Sequence, residues 1–438
     1  MNRTAIVNTD PEAALADAQA RYAASNSESL TRHEEACEVF PGGTTRTVLF
    51  YPPFPLTMVR GEGARLWDAD GHEYIDFLAE YTAAAYGHSH PKIRAAINKA
   101  LDGGIDLGGH NRFEARLAAA LCSRFPSIDL VRFTNSGTEA NLMAVSAACA
   151  ITGRTKVLVF DGAYHGGVFL FANGGSPINA PFGFVVANYN DLNQTIDLVE
   201  QQANDLAAVL IEPMMGVAGC LPADRAFLQA LRDATHKHGI LLIFDEVMTS
   251  RLSPGGLQEF HGILPDITTL GKYIGGGISC GAFGGRKDIM DRFDPRKQGS
   301  FPHAGTFNNN VLTMSAGIAG LTEVYTPEAV RQLNGLGDRM RSRLNQLAQA
   351  ESVRMCFTGL GSMMSVHMRS GPIHTPADAL KGNATLRQLF FFDMIERGVW
   401  MAPRGMINLS LPITQEDSER FVASVQEFIE SRRSLLGP

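Results

Sequence analysis

The chain has 438 residues, 45% hydrophobic and 19% charged, which is enough apolar material for a sizeable core in two or three domains. A formal net charge of −7 without a basic cluster excludes the footprint of a nucleic-acid binder. No apolar run reaches the ~18 residues of a membrane span, residues 1–22 show early acids and no apolar h-region, and six scattered cysteines without a CxxC pair argue against a disulfide framework or zinc site and for a reducing cytoplasm.

Residues 11–40 read as helix, with alanines and charged residues interleaved. A Pro/Gly segment follows, PGGTTRTVLFYPPFP, and then two strand-like runs in TMVRGEGARLWDADGHEYIDFL, where Asp70-Gly71 supplies a turn that accepts positive φ. Residues 1–80 are expected to form an N-terminal segment that packs with a smaller domain further on. From 81 to 325 strands alternate with helices. LVRFTN, TKVLVF, AAVLIEP, ILLIFDE, ITTLGK and CGAFGG are apolar runs of strand length. SGTEANLMAVSAACAIT and DRAFLQALRDATHKHG read as helices, the second with Gly239 as its C-cap. This order predicts the α/β class: a large domain with a mostly parallel sheet, right-handed crossovers, and helices on both faces. From 326 to 438 the pattern becomes that of a smaller α+β domain. A long helix, the strands VRMCFTG and SMMSVHM, the helix NATLRQLFFFDMIERG, two short strands around Ala402-Pro403-Arg404-Gly405 and a closing helix follow one another.

Lys272 ends an apolar strand and precedes Tyr273-Ile274-Gly275-Gly276-Gly277. An unpaired charge at a buried strand end is costly, and a Schiff base with a carbonyl cofactor gives such a lysine a reason to be there. A surface lysine before a loop is the plainer alternative. Asp245 stands at the carboxyl end of ILLIFDE, where ligands bind in open α/β sheets. A carboxylate there pairs with the protonated pyridine nitrogen of pyridoxal phosphate (PLP), or else it caps a helix or serves a hinge. Ser136-Gly137-Thr138-Glu139 opens a helix directly after a strand, which makes an anion site for a cofactor phosphate and equally a capping box. Tyr164, in Tyr164-His165-Gly166, is a ring to stack on a flat cofactor or a buried core tyrosine. Glu212 ends another strand, within reach of a cofactor hydroxyl or of Asp245, or exposed to solvent. His88 and His90 lack partners at ligand spacing, so no metal is expected. The glycine runs match neither GxGxxG nor a P-loop.

Seven segments, FTNSGTEANLMA, FDGAYHGG, IEPMMG, LIFDEVMTSR, TTLGKYIGGG, GAFGGR and HAGTFNNN, resemble in order and spacing those of the class III aminotransferases of PLP fold type I, and they cover nearly the whole chain. The resemblance implies pyridoxal 5'-phosphate as cofactor, Lys272 as the Schiff-base lysine and later general base, and Asp245 as the partner of the ring nitrogen. It also implies Ser136, Gly137 and Thr138 at the phosphate and Tyr164 on the ring. Thr306 would reach the phosphate of the neighbouring subunit's cofactor, so a homodimer with shared active sites is expected. Ping-pong transfer from an amino donor to a 2-oxo acid follows.

Within the family, RTVLFYPPFPLT, AEYTAAAYGH, EVMTSRL, GTFNNNV and PRGMINLSLP are similar to the aromatic β-amino acid (β-phenylalanine-type) aminotransferases. The related glutamate-1-semialdehyde 2,1-aminomutases carry a GNP-type segment where this chain has Asn308-Asn309-Asn310. On that similarity Arg46 takes the substrate carboxylate, and Arg404 takes the distal carboxylate of a dicarboxylic co-substrate. Val48, Leu49, Phe50, Tyr51 and Tyr81 are candidates for an apolar wall, or else ordinary loop and core packing. The expected reaction moves the amino group of a 3-amino-3-phenylpropanoate-type donor to 2-oxoglutarate or pyruvate. An aminomutase and a non-catalytic PLP-binding protein are the alternatives, and an intact Lys272 speaks against the second.

Overall fold

The computed structural model describes residues 10–437; residues 1–9, which begin the stretch read for a signal sequence, and Pro438 lie outside the described residues. The chain opens with helices α1 (Pro11–Ser25) and α2 (Ser27–Cys37). The single helix expected over 11–40 is interrupted at Asn26, whose backbone leaves the helical region (φ −131°, ψ 50°) while its buried side-chain amide donates to the carbonyl of Tyr22 at 2.7 Å. The next segment holds three strands rather than two, β1 (Met58–Glu62), β2 (Arg65–Asp68) and β3 (Glu73–Asp76). The additional turn uses Gly63 at φ +56°, a conformation that costs glycine little.

The central part runs α3 (Pro91–Leu101), α4 (Glu114–Arg124), β4 (Leu130–Thr134), α5 (Gly137–Thr152), β5 (Lys156–Phe160), β6 (Gly183–Ala187), α6 (Leu192–Gln201) and β7 (Leu206–Ile211). A short hairpin of β8 (Met214–Met215) and β9 (Leu221–Pro222) leads to α7 (Arg225–His238), β10 (Leu241–Asp245), α8 (Gly256–His261), β11 (Ile267–Gly271), β12 (Gly281–Gly285), α9 (Lys287–Met290) and α10 (Val311–Ala319). Seven of these strands form one sheet in the order β4-β12-β11-β10-β7-β5-β6. Every pairing in it is parallel except those of β12, which runs antiparallel to both β11 and β4. All residues of β7, β10 and β11 are buried, which explains why these runs are apolar without alternation.

The glycines of β12 serve close approach. A Cβ at Gly281 would collide with the carbonyl oxygen of Ser136, a backbone atom that cannot swing aside. Gly281→Ala is therefore expected to displace the start of α5 and to lower stability by ~1–3 kcal/mol, the usual cost of overpacking. Thermal unfolding measures this.

The last part comprises α11 (Pro327–Ala350), β13 (Cys356–Leu360), β14 (Met363–His367), α12 (Pro376–Leu380), α13 (Ala384–Glu396), β15 (Val399–Trp400), β16 (Met406–Asn408) and α14 (Gln415–Leu436). The two short strands expected around 402–405 belong to different sheets. β15 extends the N-terminal sheet by pairing parallel with β3, whereas β16 pairs antiparallel with β14. The crossing between them, Met401–Gly405, carries Arg404. The N-terminal segment also packs through α1 on α13, and Tyr22 and Tyr51 share a ring cluster with Phe391, Phe392 and Trp400. Among the described residues no helix is long and apolar enough to cross a membrane.

Candidate active site

Parallel strands end on one edge of a sheet, so residues following β4, β5, β7, β10 and β11 meet there. Asp245 is the last residue of β10 and is buried. Its Oδ2 accepts from Asn141 Nδ2 at 2.8 Å and from His165 Nδ1 at 2.8 Å, and its Oδ1 accepts from the backbone N–H of Val247 at 3.0 Å. A carboxylate only accepts, so His165 carries its proton on Nδ1. Asn141 is fixed in turn by the Thr269 hydroxyl, which donates to its Oδ1 at 2.7 Å, and its amide also reaches the carbonyl of His165. Three donors thus hold one buried carboxylate in a single orientation.

Lys272 follows β11 and leaves it in the left-handed region, φ +59°. Burial pulls its pKa down to about 8. The positive charge of Arg404 acts in the same sense, and Asp245 and Glu80 oppose it. The amine therefore loses its proton much nearer neutrality than a solvated lysine does.

Ser136 is the N-cap of α5: its hydroxyl accepts from the N–H of Glu139 at 3.2 Å. The capping box expected there is only half made, because Glu139 Oε2 accepts from the N–H of Asn135 at 2.9 Å, one residue too early. The N–H groups of Gly137 and Thr138 lie in the first helical turn, where no intrahelical carbonyl is available. Thr138 Oγ1 accepts from the N–H of Gly167 at 3.1 Å, fastening the Tyr164–Gly167 loop over the helix start. Tyr164 is 39% exposed, unlike a core tyrosine. Its backbone N–H donates to Glu212 Oε2 at 3.1 Å, and Glu212 Oε1 accepts from the N–H of Gly216 at 3.1 Å. Glu212 is buried rather than solvent-exposed, and burial pushes its carboxyl up to about 7, with Asp245 adding to the effect and His165 opposing it.

The two arginines reach this edge from opposite ends of the chain. The Arg404 guanidinium lies 4.7 Å from the centroid of the Tyr81 ring, a cation–π distance. Its Nη2 meets the sulfur of Met406 at 3.4 Å, and its buried Nε has no partner among the described residues. Burial lowers its pKa below the ordinary arginine value. Arg46 Nη2 pairs with Glu80 Oε1 at 2.7 Å, with both side chains about half exposed. Tyr81 is buried and donates through its hydroxyl to the carbonyl of Val48 at 3.2 Å. Lys272 feels the charges of Arg404, Asp245, Glu80 and Arg46, and Tyr164 those of Arg404, Arg46, Asp245 and Glu212, so the structure brings the sequence-predicted Lys272, Tyr164, Asp245, Glu212, Arg46 and Arg404 close together, with Glu80 among them. Val48, whose carbonyl Tyr81 meets, and Phe50 stay exposed. Tyr51 does not join them: it turns into the core, where its hydroxyl accepts from the N–H of Leu56 at 2.8 Å.

Thr306 is exposed and makes no hydrogen bond to this cluster. Its loop is nevertheless anchored close by, since Asn308 Oδ1 accepts from Asn135 Nδ2 at 3.0 Å and the carbonyl of Asn309 from Asn111 Nδ2 at 2.6 Å. His88 is used structurally, through Nε2 to Asp76 Oδ2 at 2.9 Å, and the described residues hold no group of three metal-ligating side chains.

Sequence reasoning missed three residues of the site. Asn141 sits four residues after Gly137 on the same face of α5, a spacing that was legible. His165 lay inside a motif valued for its tyrosine. Glu80 gave no signal, because it is placed by an unusual backbone: Ala79, Glu80, Tyr81 and Thr82 all have positive φ (+48°, +45°, +51°, +81°). Left-handed backbone costs a residue with a Cβ about 1–2 kcal/mol. Asp76 Oδ1 accepts from the N–H groups of Leu78 and Ala79 at 2.8 and 2.9 Å, and Asn408 Nδ2 donates to the carbonyl of Leu78 at 2.9 Å. These buried anchors hold the turn against its strain.

The profile of the family "Aminotransferase class-III" matches residues 50–429, and the chain belongs to that family. Among curated relatives it is 53% identical to a beta-phenylalanine transaminase of Variovorax paradoxus over 423 residues, 97% of each chain. It is 37% identical to a glutamate-1-semialdehyde 2,1-aminomutase of Pelotomaculum thermopropionicum over 394 residues, 86% of this chain and 90% of that one. Its fold matches the crystal structure of a beta-phenylalanine aminotransferase from Variovorax paradoxus with a TM-score of 0.96 at 52% identity, covering 98% and 99% of the two chains. It matches a transaminase with PLP bound with a TM-score of 0.85 at 33% identity, covering 94% and 98%. The fold type I architecture expected from the motifs is the one found.

Proposed function

We propose that this chain is a PLP-dependent transaminase that moves the amino group of an aromatic β-amino acid to a 2-oxo acid such as 2-oxoglutarate or pyruvate. The observation that carries the proposal is the meeting of a proton-shedding Lys272 and an anchored Asp245 with Arg404, which lies over the Tyr81 ring, and Arg46, which pairs with the neighbouring Glu80. The name of the 53% identical relative supports it.

The residues present fit the cofactor. Asp245 offers a fixed acceptor to a ring N–H, with Glu212 beside it. Ser136, Gly137 and Thr138 offer a hydroxyl, free N–H groups and the positive end of α5 to a phosphate. Tyr164 presents a half-exposed ring face to a flat heterocycle. When bound, the cofactor supplies an electron sink for breaking a C–H bond next to nitrogen. Lys272 would hold it through Nζ, and as a neutral amine Nζ would take up the proton of the substrate's amino-bearing carbon and give it back. Arg46 binds and orients the carboxylate of the donor. Arg404, which has no carboxylate partner among the described residues, receives the distal carboxylate of 2-oxoglutarate or swings aside for an aromatic ring. The exposed Thr306 loop suits a homodimer in which Thr306 completes the partner's phosphate site. We assign residues 81–325 to cofactor binding and 326–438, with 1–80, to the smaller unit. A reducing cytoplasm is the proposed compartment, in keeping with six free cysteines.

Incubating the purified protein with 3-amino-3-phenylpropanoate and 2-oxoglutarate should produce glutamate. If none forms and glutamate-1-semialdehyde is instead converted to 5-aminolevulinate, the aminomutase reading replaces this one. A second expectation concerns pH. The neutral amine of Lys272 is the form that captures the cofactor, and it becomes the major form above about 8 rather than 10.5. The rate of covalent uptake by the cofactor-free protein should rise with pH through about 8 and then level off, as followed by visible absorbance. A rate still climbing past pH 10 would contradict it.

A further inference from the structure

We propose that Glu80 is a placeholder for the substrate carboxylate: it occupies Arg46 until a donor's carboxylate displaces it, and it thereby tempers the preference for carboxylate-bearing amines by keeping Arg46 neutralised when no carboxylate is bound. This rests on the reading of Arg46 as the carboxylate binder. The Arg46–Glu80 contact is a single 2.7 Å pair between side chains that are 48% and 52% exposed. Such pairs contribute little net stability, so exchanging one carboxylate for another is nearly balanced, and the released Glu80 can turn into solvent without leaving a buried charge behind.

The backbone gives the second argument. Glu80 is the second residue of the left-handed run Ala79–Thr82, and the next residue, Tyr81, lies under Arg404. Two consecutive residues of one strained turn therefore address the two arginines of the site. A surface ion pair that served only to stabilise the fold would not need such a turn, which the buried Asp76 and Asn408 must hold in place. Charge balance gives the third. Glu80 and Arg46 both act on Lys272, in opposite senses. Replacing Glu80 by a substrate carboxylate leaves that balance unchanged, so the lysine meets the same field in the resting and the occupied site. An amine without a carboxylate cannot make this exchange.

The holoenzyme variants Glu80→Gln, which keeps the shape, and Glu80→Gly, which suits a positive φ, test this. KM for 3-amino-3-phenylpropanoate should fall about threefold, the effect expected of removing one exposed pair as competitor. KM for 1-phenylethylamine, which lacks the carboxylate, should rise, because Arg46 then faces an apolar substrate without a counter-charge. Calorimetry with 3-phenylpropanoate, which has the carboxylate but no amino group, should show tighter binding by the same factor. Unchanged or weakened binding of both carboxylates in both variants, with normal thermal unfolding, overturns the proposal. Arg46→Ala separates the two levels. If it raises KM for the β-amino acid while the Glu80 variants do not lower it, only the placeholder role fails. If it leaves KM unchanged, the Arg46 reading fails and the placeholder role with it.

Discussion

Replacing Lys272 with alanine is expected to reduce kcat by at least ~10³-fold, within the range that a positioned acid–base group contributes. The effect is large because one atom does two jobs. In the proposed reaction Nζ both holds the cofactor and moves the proton, and Lys272 leaves β11 through a left-handed turn. Alanine accepts that backbone no worse than lysine does, so the loss should appear in chemistry and not in thermal unfolding. Lys272→Arg sharpens the test: it keeps a positive charge but cannot supply a neutral amine near pH 7. Both variants should lose the visible absorbance of the lysine-bound cofactor, and neither should carry out a single turnover at a normal rate. Near-normal turnover by either would remove Lys272 from the site.

Asp245→Asn should lower kcat on the order of 10²–10³-fold, the usual size for one preorganised electrostatic contact. The side chain keeps its shape but loses its charge. The three donors that meet the carboxylate, Asn141 Nδ2, His165 Nδ1 and the N–H of Val247, now meet an amide that can accept at only one end. At least one buried donor is left opposite another donor, which costs about 1–3 kcal/mol. Stability should thus fall modestly while activity falls steeply, and comparing thermal unfolding with kcat separates the two. Activity within about tenfold of the parent would show that a charge at this position is not what the reaction uses.

The central sheet was legible because burial on both faces writes itself as unbroken apolar runs, and β7, β10 and β11 are wholly buried. Lys272, Asp245 and Glu212 were legible because a charged residue at the end of such a run is conspicuous. Direction and pairing were not. Nothing local in GAFGG says that β12 runs against its neighbours, and nothing around Arg404 says that β15 and β16 enter different sheets, because both depend on partners far away in the chain. Which of its two readings, wall or core packing, Tyr51 would take was not legible for the same reason: the rings that enclose it come from residues 22, 391, 392 and 400. The turn at Ala79–Thr82 lacks any glycine or asparagine to mark it, so Glu80 was invisible until the backbone was seen.

The position of β12 has a consequence for how the chain is made. Its register runs from Gly281 opposite Thr134 to Gly285 opposite Leu130, so it separates β4 from the rest of the sheet and backs the start of α5. On the ribosome, Ser136, Gly137 and Thr138 emerge long before the strand that buttresses them, and β3 waits longer still, for Val399 and Trp400. Until then β4 keeps open hydrogen-bonding edges, the kind of surface on which nascent chains pair wrongly. The early half of this protein therefore cannot mature as it is synthesised; the start of α5 is backed only once residues 281–285 have been made, and a chain stopped before residue 281 would leave the cell a sticky fragment rather than a smaller working unit.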